Sequence, residues 1–283
     1  MKLHPHPLLL LLLSLASAVA QPNALRIEGS NTFGEKLGPR LVGAFEKTNP
    51  GIDVTLKRPG SGPGLAALIA GRTDIAPMSR PANEQEIAAA KAAGYRLRSQ
   101  SIGSYGVAVV VNEQNPLTNL KPAQVRGIFS GRITNWKQVG GPDRRIRPFV
   151  LDRTTGARAG FQDLAMRGED YAASAKALPN YASIVAGVAG NADAIGYADM
   201  GPLPPGARAL LINGQPANSA AIYEAVYPYA STLYFYTIAR RETKAARSFT
   251  RFVLSREGQR VLQSAGYVPR LPIPASVERN IAP

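Results

Sequence analysis

Apolar runs rich in β-formers alternate along the chain with segments of helical period, the arrangement of an α/β protein. The pattern predicts strands over 25–28, 52–56, 73–76, 107–111, 147–151, 194–197, 209–212 and 232–238. Helices are expected between them. Leu37, Leu41, Val42 and Phe45 share one face of the first, which Pro39 should kink or delay. Others follow over 63–70, 83–94, 122–129 and 155–166, and the end of the chain reads as helical over 244–254 and 257–265. Asn83, with Glu86 three residues on, has the form of a capping box. The run Val107-Ala108-Val109-Val110-Val111 is apolar without alternation, as in a strand covered on both faces. It and the stretch 232–238 bracket a long middle block. With both as crossovers the chain divides into a leader of 1–20, a first lobe of 21–108 with 232–283, and a second lobe of 109–231. Ligands of open α/β sheets sit beyond the carboxyl ends of strands, so two such lobes would face each other across a cleft.

The leader is an address. Met1-Lys2 gives a positive start, residues 8–13 are all leucine, and Ala18-Val19-Ala20 offers a small-residue exit, the form of a cleaved secretory signal. The apolar stretch over 8–20 falls short of the ~20 residues of a membrane span. No cysteine exists to carry a lipid. An exported protein is expected, and periplasm and exterior both fit.

Export changes what the composition means. The two histidines, His4 and His6, lie in the leader, and cysteine is absent. A processed chain with neither excludes Ser-His-Asp and Cys-His catalysis, His/Cys zinc sites and disulfides. Carboxylates alone could hold a metal. The nearest pairs, Glu169-Asp170 and Asp193 with Asp199, read equally well as surface turns, so no metal and no cofactor are expected. With 33 Lys+Arg against 19 Asp+Glu the chain is basic, yet the positives are scattered and never run to five. That pattern suits attraction of small anions better than a nucleic-acid partner. The protein is expected to be a monomer and not an enzyme.

Three places join strand to helix through small residues: Gly29-Ser30-Asn31-Thr32-Phe33-Gly34-Glu35, with Thr32 and Glu35 as a capping box; Pro59-Gly60-Ser61-Gly62-Pro63-Gly64; and Arg153-Thr154-Thr155-Gly156-Ala157-Arg158. A helix start leaves N–H groups free and carries partial positive charge, so each is a potential oxyanion cradle. Hydroxyls add donors and arginine adds a forked, charged pair of bonds. Ser79-Arg80-Pro81 is a fourth candidate. No P-loop is present, and the stretch around Ser61 lacks both flanking glycines of a nucleophile elbow.

These residues resemble the PstS-like phosphate-binding branch of the type II periplasmic solute-binding proteins of ABC transport systems. The resemblance covers essentially the whole processed chain. Its most specific part is the segment 125–141, through Ile133-Thr134-Asn135-Trp136 to Gly140-Gly141. Also similar are Ala194-Ile195-Gly196-Tyr197, Leu233-Tyr234-Phe235-Tyr236, the segment 252–259 and Gly266-Tyr267-Val268-Pro269. The resemblance implies two α/β lobes joined by two hinge crossovers and closing on inorganic phosphate, with a membrane ABC permease as partner. It implies ligand contacts from the Thr32 hydroxyl, the Phe33 backbone N–H, the Ser61 hydroxyl, a charged pair from Arg153, and the helix start at Thr155, Gly156 and Ala157. Two departures stand out. The family's common Ser-Gly-Thr reads Thr155-Gly156-Ala157, and Arg158 stands as either a substitute cation or a surface charge. Where well-known members carry an acid that accepts the phosphate proton, this chain reads Met78-Ser79-Arg80-Pro81, with Asp74 upstream. Losing that acceptor weakens discrimination between phosphate and sulfate.

Overall fold

A computed structural model describes residues 24–153 and 155–270. The predicted leader lies outside them. The chain opens with strand β1 (Ala24–Glu28) and a π-helical turn over Phe33–Leu37 that passes into α1 (Gly38–Thr48). Pro39 thus occupies the first turn of α1, where its missing N–H costs nothing, and the expected delay takes the form of the wide turn before it. Next come β2 (Asp53–Lys57), α2 (Ser61–Ile69), β3 (Ala76–Met78) and α3 (Glu84–Ala92). The capping box on α3 is formed: Glu86 N–H donates to Asn83 Oδ1 (2.8 Å) and Asn83 N–H to Glu86 Oε2 (2.9 Å).

Strand β4 (Leu97–Asn112) is much longer than the apolar run at its end. Beyond it lie β5 (Asn119–Leu120), α4 (Pro122–Phe129), a 3-10 turn over Trp136–Val139, and β6 (Arg147–Leu151). Then follow α5 (Gly156–Phe161), a second π-helical turn over Gln162–Met166, β7 (Lys176–Leu178), α6 (Tyr181–Ala189) and β8 (Ala194–Asp199). The middle block ends with β9 (Ala207–Ala209), β10 (Leu211–Ile212) and α7 (Ser219–Tyr223). The chain returns through β11 (Ala230–Ile238) and finishes with α8 (Lys244–Leu254), α9 (Arg256–Ser264) and β12 (Val268–Pro269).

The fold is two-lobed, and β4 shows how. Its residues 97–106 pair antiparallel with β11, while 107–111 pair antiparallel with β8, which lies parallel to β6. One strand therefore belongs to both sheets. Its partner β11 runs alongside as far as the pair Ala230↔Gly106, and Val107 N–H donates to Tyr229 O (2.9 Å). The two connections between lobes lie side by side. In the first lobe β1 pairs parallel with β2, and β3 pairs antiparallel with β11.

Aromatic rings hold each lobe. Phe33 meets Phe235 edge-on at 5.3 Å and Phe45 meets Phe249 at 5.1 Å. In the second lobe Phe161 stacks on Tyr197 at 3.9 Å and Phe129 meets Phe161 edge-on. Trp136, from the segment that carried the family resemblance, is fully buried and donates its indole N–H to Asp193 O (3.1 Å). That segment is an anchor of the second lobe's core.

Candidate functional site

The ends of β1, β2 and the stretch into β3 are stitched together by backbone bonds. Gly29 N–H donates to Lys57 O, Gly60 N–H to Gly29 O (3.0 Å), and Ser30 N–H to Pro77 O (2.8 Å). Gly60 adopts φ +111°, a conformation open to glycine, and turns the chain into α2. Gly64, in the first turn of α2, lets the helix press against β1: an added Cβ would lie 2.4 Å from Glu28 O and 2.4 Å from Gly29 Cα. These contacts bring two helix starts and the Ser79 loop to one sheet edge.

At that edge Ser61 Oγ and Ser79 Oγ are 3.4 Å apart, and Ser79 N–H donates to Ser61 Oγ (3.3 Å). Ser231, on β11, donates its hydroxyl to Ser79 O (2.7 Å). The expected capping box of Thr32 with Glu35 does not form. Thr32 already has helical dihedrals and caps nothing, because Ser30, closer to the strand end, takes that place by accepting from Phe33 N–H (3.4 Å). The Thr32 hydroxyl is thereby released toward the cleft. The Phe33 ring is buried against Phe235.

The second lobe reaches this edge through α5. Thr155 is its N-cap, with Oγ1 donating backward to Asp152 O (2.9 Å) and not forward into the helix. One turn on, a Cβ added to Gly160 would lie 3.3 Å from Thr32 Oγ1 and 3.9 Å from Tyr105 Oη, so the two lobes meet here. Nearby, Lys36 Nζ and Asp199 Oδ2 form a 2.6 Å ion pair and Tyr267 donates to Thr32 O (2.7 Å). Between these contacts lies a cavity of about 380 Å³ bordered by Thr32, Tyr105, Thr155, Ala157 and Gly160.

The three arginines of the sequence reading part company. Arg80 lies against the start of α2 and makes a two-pronged pair with Glu86, 2.8 Å on each prong. Its hydrogen bond holds Glu86 below the ordinary carboxylate value and raises the guanidinium in return. Arg158 turns into its own lobe, donating to Leu151 O and lying over the Tyr171 ring at 4.1 Å; it is neither a surface charge nor a free cation at the cleft. Arg153 is exposed on the turn after β6, with no ion-pair partner among the described residues, and does not border the cavity. The helix start at Gly156 and Ala157 follows directly behind it.

The carboxylate pairs are engaged elsewhere. Asp193 pairs with Arg144 and Asp199 with Lys36, at opposite ends of β8, while Glu169 pairs with Arg126 and Arg132. Asp74 is held by Arg26 through both carboxylate oxygens. Among the described residues no cluster of three His, Cys, Asp or Glu could hold a metal ion, and no helix is long and apolar enough to cross a membrane.

Sequence reasoning missed Tyr105, Gly160 and Ser231. Tyr105 is 8% exposed. Burial pushes its phenol up to about 12, partly offset by hydrogen bonding with Thr32, Ser79 and Ser231, so it remains a neutral O–H donor facing the cleft. Desolvation also raises the Asp163 carboxyl of the second lobe, and the charge of Arg80 in the first offsets part of that rise. Burial raises the phenols of Tyr171, Tyr181, Tyr197, Tyr227, Tyr229 and Tyr267 as well. An unfolded phenol ionises near pH 10 while these hold their protons higher, so above ~10 the unfolded chain sheds protons first and stability falls as pH rises. Circular dichroism along an alkaline titration should show unfolding coupled to tyrosine ionisation between about pH 10 and 12. Free ionisation of all tyrosines near pH 10 in a still-folded protein would contradict this burial.

A profile of the PBP superfamily domain matches residues 16–257. The phosphate-binding protein PstS of Staphylococcus epidermidis is 27% identical over 266 residues, covering 85% of this chain and 77% of its own. PstS of Bacillus subtilis is 28% identical over 253 residues, covering 87% and 80%. The crystal structure of an ABC-type phosphate transport receptor from Vibrio cholerae matches with a TM-score of 0.77 at 26% identity, over 88% of this chain and 100% of that one. With its fold, its length and its relatives in agreement, this chain belongs to the PBP superfamily, on the PstS-like side of it.

Proposed function

We propose that the protein is an exported receptor, without catalytic activity, that captures inorganic phosphate between its lobes and delivers it to a membrane ABC permease. The observation that carries this reading is the meeting of Gly160 on α5 with Thr32 and Tyr105, which brings a helix start from each lobe to one small cavity, with Ser79 hydrogen-bonded to Tyr105 behind it. Such a site replaces the water around an oxyanion with fixed O–H and N–H donors. The relatives' names, as phosphate-binding proteins and a phosphate transport receptor, point the same way. The hinge is assigned to the paired stretches near Gly106 and Ala230, so the first lobe ends near 108 and resumes near 232. The receptor works as a monomer and has no nucleic-acid partner.

Calorimetric titration of refolded, ligand-stripped protein with phosphate tests this; no binding would overturn it. Ser79 and Tyr105 are hydroxyls that can turn either way, so sulfate should bind within about tenfold of phosphate. Arg80→Ala would leave the Glu86 carboxylate unpaired beside the cradle. It should cost ~1.5–3 kcal/mol, or about 10–150-fold in phosphate affinity, with part of the loss restored in the Arg80→Ala/Glu86→Ala double variant. Arg153→Ala, at an exposed site, should change affinity less than about threefold. The reverse order would return the charged contact to Arg153.

A further inference from the structure

A second cavity, of about 490 Å³, opens on the first lobe between α8 and the far end of the β4–β11 ribbon. Its floor is the cross-strand pair Arg98↔Thr237 with Gln100↔Phe235 beside it, which strand alternation puts on one face. Arg98 stands eight residues before Gly106, roughly 26 Å along a strand, so this cavity is remote from the contact between lobes. The wall is one face of α8. Arg247, Thr250, Arg251 and Leu254 follow one another at helical spacing there, while Ala245, Ala246, Phe249 and Val253 turn into the core. Three arginines thus meet one carboxylate. Glu242, whose side chain is 7% exposed, pairs with Arg98 at 3.2 Å. Arg247 and Arg251 are exposed and have no ion-pair partner among the described residues. Two hydroxyls line the same cavity. Thr250 Oγ1 is buried without a hydrogen-bond partner, and Thr237 is 4% exposed with no hydrogen bond from its hydroxyl among the described residues. A desolvated hydroxyl without an acceptor carries a penalty that a ligand oxygen would remove.

We propose that this cavity is a second anion site, built for a short condensed phosphate of two or three linked phosphoryl groups. Arg247 and Arg251 lie one helical turn apart, close enough for both guanidinium forks to meet one group. Thr250, on the same turn, adds its hydroxyl. Three donor groups from one wall match the three oxygens of a terminal phosphoryl and exceed the two of a carboxylate. A second phosphoryl reaches the floor, where Arg98 and Thr237 stand opposite each other. Glu242 fixes Arg98 in place and cancels its charge, so the net attraction comes from the two free arginines. Orthophosphate satisfies only the wall and is held weakly. No residue is shared between this cavity and the one between the lobes, so the site stands or falls apart from the receptor reading.

The test is calorimetry on the full protein in saturating inorganic phosphate, titrated with diphosphate and with malonate as a two-carboxylate anion. One equivalent of diphosphate is expected to bind, about tenfold or more tighter than malonate. Arg247→Ala/Arg251→Ala should weaken diphosphate binding by about 20-fold or more. Arg145→Ala/Arg147→Ala removes the same charge from exposed positions of the second lobe and should change it less than about twofold. Thr250→Val keeps the shape and deletes the unpartnered hydroxyl. It should weaken diphosphate by about three- to tenfold without lowering the unfolding temperature, an outcome that a merely structural role for Thr250 would not give. Inorganic phosphate, titrated alone, should bind the α8 double variant as it binds the parent. Absence of diphosphate binding, equal losses from the two double variants, or malonate binding as tightly as diphosphate would each overturn the site and leave the receptor reading standing.

Discussion

Gly160→Leu should leave the protein folded and lower its affinity for phosphate by at least about 100-fold, or ~2.7 kcal/mol. Residue 160 is where the second lobe touches the first, with an added Cβ already at 3.3 Å from Thr32 Oγ1. The branched carbons of leucine would have to occupy the space of the Thr32 and Tyr105 hydroxyls, which are the groups proposed to meet the anion. Opening the hinge relieves that overlap, since the side chain then lies in the solvent-filled cleft. The collision therefore falls on the closed, binding-competent state and not on folding. Helix propensity even favours leucine over glycine by up to ~1 kcal/mol. Gly160→Ala is a graded control and should weaken binding only a few-fold. Thermal unfolding and calorimetry on the three proteins separate the two effects. If the leucine variant bound phosphate as the parent does, the meeting of α5 with Thr32 would have no part in the bound state.

That contact also marks where sequence reasoning ran out. Local signals fix the ends of strands and the starts of helices: the capping box at Asn83, the helix over Pro122–Phe129 and the strand over Arg147–Leu151 follow from side-chain type and spacing alone. The helix Tyr181–Ala189 escaped because its run of small and apolar residues has no clear period against which to tell helix from strand. The first ten residues of β4 escaped for a different reason. They mix polar, partly exposed residues with the buried Ile102 and Tyr105 in no clear alternation, and they are a strand because β11 pairs with them on both sides of an irregularity at Ile102.

The site shows the same division. Thr32, Ser61, Ser79 and Thr155 were legible as helix starts or strand ends bearing hydroxyls. Tyr105 precedes a buried apolar run and carries no mark of its role. Its phenol gains meaning only because β4 passes between the lobes and sets it beside Thr32, Ser79 and Ser231. Gly160 is one glycine among 27, and its value lies in what the opposite lobe places against it. The arginines near the helix starts were visible in the sequence and their partners were not: Glu86 engages Arg80, while Leu151 O and the Tyr171 ring engage Arg158.

Gly64→Ala should destabilise the protein by ~3 kcal/mol or more, lowering the unfolding temperature by roughly 6–12 °C at this chain size. A Cβ there would lie 2.4 Å from both Glu28 O and Gly29 Cα, and both are backbone atoms at the end of β1 that cannot rotate away. Relief requires moving α2 off the strand. That strains the bond from Gly60 N–H to Gly29 O and adds the loss of a hydrogen bond, ~0.5–1.5 kcal/mol, to the overpacking. Gly43→Ala is the matched control. It makes the same chemical change in the exposed interior of α1, where an added Cβ meets nothing within 4 Å, and should stabilise by up to ~1 kcal/mol through helix propensity. Opposite signs for one substitution at two helical glycines would separate the close approach from propensity, and equal effects would remove it as a constraint. Because α2 carries Ser61, the same displacement pulls one hydroxyl away from Ser79. Gly64→Ala should therefore weaken phosphate binding even at temperatures where the variant remains fully folded, which Gly43→Ala should not.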